Sequence, residues 1–125
     1  MYWSSGILRY GPGIRAVVEV DDNLAKYYLA LLPNYIDANP QMYRAHITVV
    51  RIGKEPVPNM EVWKKYTNEV IPFAYSPTVE TDGTYYYLKV RCLRIQQIRE
   101  ELGLPAFRPG RDCYHLTIAN CKETK

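Results

Sequence analysis

The chain has 125 residues, 47% of them hydrophobic, with 16 Lys and Arg against 13 Asp and Glu and a formal net charge of +3. That describes one domain with enough apolar side chains for a core, and a mild basicity that permits an anionic ligand without resembling a non-specific nucleic-acid coat. Nothing near the start reads as a signal peptide, no apolar run is long enough to span a membrane, and three cysteines without a CxxC pair argue against a disulfide framework or zinc ribbon, so the expected setting is the cytoplasm.

Residues 1–14 hold a short apolar piece and end in the Gly11-Pro12-Gly13 turn. Residues 15–20 (RAVVEV) read as a strand. Asp21 and Asp22 then offer an N-cap, and Leu24, Tyr27, Tyr28, Leu31 and Leu32 fall at helical spacing before Pro33. After a loop containing Asn39-Pro40, residues 44–52 read as a strand. Asn59 is placed to cap a helix over about 60–70, with Val62, Trp63, Tyr66 and Val70 on one face. Residues 71–80 look extended, with Pro77 suggesting an edge or a bulge. Asp82-Gly83 is the strongest hairpin signal, and 84–91 is its return strand. Residues 93–102 form an amphipathic helix closed by Gly103. A loop with Pro105, Pro109 and Gly110 leads into the last strand.

Two strands carry one phrase. The first reads His46-Ile47-Thr48-Val49-Val50 and the second His115-Leu116-Thr117-Ile118-Ala119; the protein has two histidines in all. Side chains two apart on a strand point to one face. Each copy therefore presents an imidazole and a hydroxyl together, with apolar neighbours turned to the other face. Imidazoles move protons and hydroxyls donate to phosphate oxygens, a set suited to phosphoryl chemistry. The histidines are 69 residues apart, and the same shift carries Pro40 onto Pro109 and the 22–33 helix onto 91–102. Strand, helix, Pro-containing loop and His-x-Thr strand thus occur twice. The repeat predicts two βαβ-like lobes about a pseudo-twofold axis, with the two motif strands facing each other across it.

These paired motifs resemble the 2H phosphoesterase superfamily. Its members include LigT-like RNA 2′,3′-cyclic phosphodiesterases and phage enzymes that degrade the cyclic nucleotide signals of bacterial immunity (anti-CBASS type). The resemblance implies a single α+β domain over 1–125, bilobal and pseudo-twofold, with antiparallel sheets, helices on the outer faces and a central groove. It implies His46 and His115 as the acid/base pair and Thr48 and Thr117 as donors to the non-bridging oxygens. The short length fits the small phage-like members. The function so implied is hydrolysis of cyclic nucleotide phosphodiesters without metal or cofactor, in a counter-defence role; the alternatives are an RNA 2′,3′-cyclic phosphodiesterase and a nucleotide-binding module without catalysis. A metal site would lack ligands, since neither motif has a carboxylate or cysteine cluster beside it. The expected partner is a nucleotide or short RNA, with no membrane and no obligate protein partner.

Substrate contacts are expected from Tyr10, beside the Gly11-Pro12-Gly13 turn, from Tyr43, Arg44 and Tyr114, which flank the motifs, and from Tyr87 and Lys89 on the return strand. Aromatic faces would stack a base and cations would hold phosphate. Arg9, Arg51 and Arg111 stand nearby, by default as solvated charges. The plainer reading of a single histidine, threonine or tyrosine here is structural: a satisfied strand residue or a piece of core. Two intact motifs at matching places in a repeat favour catalysis.

Overall fold

A computed structural model describes the chain except for residues 34, 35, 37, 42, 43, 52, 54, 109 and 122–125. The elements in order are β1 (Tyr2–Tyr10), β2 (Ala16–Glu19), α1 (Asp22–Ala30), β3 (Asn39–Pro40), β4 (His46–Val50), β5 (Val70–Tyr75), β6 (Glu80–Thr81), β7 (Tyr85–Arg91), α2 (Leu93–Glu101) and β8 (Tyr114–Asn120). Neighbours run β4-β2-β1-β5-β7-β8, and β8 pairs back onto β4. All of these pairings are antiparallel. The six strands close into a barrel, with β3 and β6 as two-residue additions on β8 and β7.

The bilobal α+β expectation is therefore overturned. The structure is mostly sheet, and the described residues include two α-helices of nine residues each. Two bridges explain the difference. Residues 2–10, read from the sequence as a short apolar piece, form a long strand that pairs with both β2 and β5. At the other junction β8 pairs with both β4 and β7. Each long strand then has two neighbours, and no free edge remains between halves. The two motif strands do not face each other across a groove; they lie side by side.

The repeat itself survives inside the barrel. The 69-residue shift carries β4 into β8 and β2 into β7, while α2 begins two residues beyond the image of α1. Ile47 pairs with Leu116, its own image under the shift, so the local twofold axis passes between them.

After β1, the caps and the hairpin are set by local chemistry as the sequence suggests, with one exception. The Asp21 carboxylate accepts the Asn23 N–H at the start of α1, and the Cys92 thiol accepts the Ile95 N–H at the start of α2. Asp82 accepts the N–H groups of Thr84 and Tyr85 at 2.9 and 2.8 Å, and Gly83 takes a φ of 98° in the hairpin. The exception is the helix expected over 60–70. Lys64 and Asn68 adopt φ of 66° and 70°, left-handed values that interrupt a helix, and the segment runs through turns. Val62, Trp63 and Tyr66 still pack on the core.

Alternate strand residues fill one core: Leu8, Val18, Ile47, Phe73, Leu88 and Leu116 are fully buried. Each contributes roughly 1.5–3 kcal/mol by leaving water. Helix α2 adds Ile95, Ile98 and Leu102, and it touches both β4 and β5, which are opposite in the ring. It thus lies across the barrel rather than along its outside. Among the described residues no helix is long and apolar enough to cross a membrane.

Candidate active site

With Ile47 and Leu116 paired and turned into the core, the residues on either side of them share the opposite face. The antiparallel register sets His46 opposite Thr117 and Thr48 opposite His115. Directly opposed pairs of this kind have Cβ atoms about 5 Å apart, and diagonal ones about 7–8 Å. The four side chains form a two-by-two block, histidines on one diagonal and threonines on the other. All four are half-buried and line one cleft of about 490 Å³.

The two histidines are held differently. His46 Nδ1 lies 2.8 Å from the Arg44 carbonyl oxygen. A carbonyl only accepts, so Nδ1 carries the hydrogen and Nε2 is left for chemistry. The His115 ring stacks on Tyr87 with 4.1 Å between centroids and 19° between planes. Burial holds the His115 imidazole below its usual pKa, and the charges of Arg111, Arg108 and Lys89 push the same way. The strands alongside differ too. Glu19 of β2 is the register partner of His46, whereas Lys89 of β7 is the partner of His115.

Five arginines line the cleft: Arg15, Arg51, Arg99, Arg108 and Arg111. Arg99 is a fastener. Its buried guanidinium pairs with Glu55 at 2.5 Å and donates to the Val49 and Pro105 carbonyls at 2.7 and 2.8 Å. Burial works to raise the Glu55 carboxyl, but the hydrogen bonds from Arg99 and the Arg51 N–H hold it below the usual carboxylate range. The pair ties the end of β4 to the loop before β8, the two walls from which Arg51 and Arg108 project.

Comparison of the chain with family models, with curated proteins and with solved structures finds no match. Among the described residues, no group of three His, Cys, Asp or Glu side chains stands ready to hold a metal ion.

The expected substrate contacts fare unevenly. Tyr87 lines the cleft, with one face of its ring against His115. Tyr114 lines it too, but its hydroxyl donates to the Ala106 carbonyl at 2.5 Å, and burial pushes the phenol well up. It anchors the loop and is not free to grip a ligand. Lys89 pairs with Glu80 at 3.4 Å and is not among the lining residues. Arg44 stands in a separate cavity of about 230 Å³ beside Asp22. Arg44 precedes β4, which starts at His46, and the Ala45 N–H is drawn to the Asp22 carboxylate. Only the Arg44 carbonyl serves the site. Tyr10 packs edge-on against Trp63 at 4.8 Å, away from the cleft lining. Tyr43 lies outside the described residues.

Sequence reasoning passed over Arg15, Arg99 and Arg108 and left Arg51 and Arg111 as solvated charges. A signal existed for two of them: Arg108 and Arg111 bracket Pro109-Gly110 just before the second motif. Arg99 gave none, because a charged residue on a helix is ordinarily solvent-facing.

Proposed function

We propose that the cleft hydrolyses phosphodiesters of cyclic nucleotides, with His46, Thr48, His115 and Thr117 as its catalytic residues, in the manner the resemblance to 2H phosphoesterases implies. The observation that carries this reading is the interleaved block of two imidazoles and two hydroxyls over one cleft. The motifs support it; the barrel is not the fold that the resemblance implied.

His115, kept neutral by burial and nearby cations, takes a proton from the attacking water. The water oxygen bonds to phosphorus as the bond to the ribose oxygen breaks. His46, protonated, gives its proton from Nε2 to that leaving oxygen. The product is a phosphomonoester with a free ribose hydroxyl, and solvent exchange returns both rings to their starting states. Thr48 and Thr117 donate to the non-bridging oxygens, where charge builds in the transition state. The proposed setting is the cytoplasm, that of the host if the protein is viral.

A product assay in EDTA tests the reading: 2′,3′-cyclic mononucleotides, cyclic di- and trinucleotides, and RNA with cyclic phosphate ends. Turnover of any of them, lost in His46→Ala and His115→Ala, supports it. Tight binding with no turnover of any substrate would instead mark a nucleotide-binding module.

A further inference from the structure

The proton transfers leave a second concentration of charge in the cleft unused. Arg51 follows β4, and Arg108 and Arg111 stand on the loop before β8; all three line the cleft. The Arg111 N–H donates to the Arg108 carbonyl at 3.0 Å, so the two guanidiniums rise from one turn. Among the described residues, none of the three makes an ion pair with a carboxylate. Glu55, which acts electrostatically on Arg108, is already clamped by Arg99. Asp82, the acidic residue of the cleft lining, accepts the backbone of Thr84 and Tyr85.

Arg108 is half-buried rather than extended into water. Its burial, then the charges of Arg111 and Arg51, all disfavour its guanidinium cation. An arginine meant only to be solvated would turn outward and relieve that repulsion. An anion between the three forks relieves it as well, and guanidinium forks match the oxygens of a phosphate two at a time.

We propose that Arg51, Arg108 and Arg111 form a second phosphate subsite in the same cleft as the histidine–threonine block, so that the preferred ligand is a nucleotide carrying two phosphates. This rests on the function proposed above only for the place of the first phosphate.

The test compares a nucleoside 2′,3′-cyclic phosphate with the same compound bearing a 5′-phosphate, by calorimetry in EDTA. The added phosphate is expected to tighten binding to the native protein about tenfold. In the Arg108→Gln/Arg111→Gln variant that ratio falls toward one; in His115→Ala it stays. Should the double variant fail to fold, Arg51→Gln and Arg111→Gln, both at exposed positions, each lower the ratio. A ratio near one in the native protein, or one that survives loss of the arginines, overturns the subsite. A high ratio with neither compound hydrolysed keeps the subsite and removes 2′,3′-cyclic mononucleotides as substrates. Hydrolysis of both with a ratio of one does the reverse.

Discussion

Tyr87 and His115 lie face to face, with 4.1 Å between ring centroids and 19° between planes. They sit diagonally on adjacent strands, since Tyr87 pairs with Thr117 and Lys89 with His115. The stack fixes the rotation of the imidazole about its own stem and shields one face from water. Tyr87→Phe keeps that surface and is expected to leave kcat nearly unchanged. Tyr87→Ala frees the ring, and a small misplacement of a catalytic group lowers kcat about tenfold or more. It also lets water reach His115, so the imidazole pKa rises toward its ordinary value. Steady-state rates and a proton NMR titration of His115 read both effects; equal losses in the Phe and Ala variants would remove the stacking role.

The pH dependence follows from the same ring. Burial, then Arg111, Arg108 and Lys89, disfavour the His115 cation. The neutral base therefore persists to lower pH than a free histidine, and kcat/KM should rise with pH through a midpoint below about 6.5. Lys89→Gln removes one cation and moves that midpoint upward. Stability has a matching sign. The unfolded chain binds the proton more readily, so His115 costs the fold stability as pH drops from the ordinary histidine value toward the lower folded one. Denaturant melts across that window measure it, and a His115→Gln variant should lose that part of the slope.

Thr48 and Thr117 sit opposite the histidines of the other copy. Each hydroxyl is expected to stabilise charge on phosphate oxygens, and removal of one such donor lowers kcat about 100-fold. Thr48→Val and Thr117→Val preserve shape and strand preference, so melting temperatures should hold. Thr→Ser variants, which keep the hydroxyl, should recover most of the rate. Full activity in both valine variants would reduce the threonines to strand formers.

Arg99 and Glu55 form a pair with 1% and 4% side-chain exposure. Removing one partner strands a buried charge and costs about 3–5 kcal/mol, whereas replacing both by apolar groups costs less. Glu55→Gln and Arg99→Met should each lower stability sharply, and Arg99→Met with Glu55→Met should be milder than Arg99→Met alone. Chemical denaturation of the three variants decides this. Equal, additive losses would mean that the two groups act separately.

The sequence made the site more legible than the fold. His-x-Thr within an apolar run specifies a face, because strand alternation is local, and so the four catalytic candidates come together as expected. The 69-residue repeat is equally visible, but it predicts two lobes facing each other across a groove, whereas Ile47 pairs side by side with its image, Leu116. Closure was not visible, because it depends on long-range partners. Tyr2–Tyr10 mixes Ser4, Ser5 and Gly6 with apolar residues and lacks a clean alternation. Gly6 is there for its neighbour: a Cβ would stand 2.3 Å from the Glu19 carbonyl oxygen, so only glycine lets β2 approach. Likewise the apolar spacing of 60–70 promised a helix, and the left-handed Lys64 and Asn68 broke it. Arg44 was misplaced because it precedes the first residue of β4, and Tyr10 because the Gly11-Pro12-Gly13 turn beside it does not carry its ring to the cleft; that ring packs on Trp63.

The central claim is that two imidazoles from neighbouring strands work on one phosphorus atom. Phosphorus NMR of the cyclic nucleotide panel, in EDTA, with the native protein, His46→Ala and His115→Ala, tests it most directly. The account predicts conversion of a cyclic phosphodiester to a phosphomonoester by the native protein and a fall of about 100- to 10,000-fold in each variant, with folding intact. No conversion of any substrate by the native protein, or conversion that persists in both variants, would contradict it.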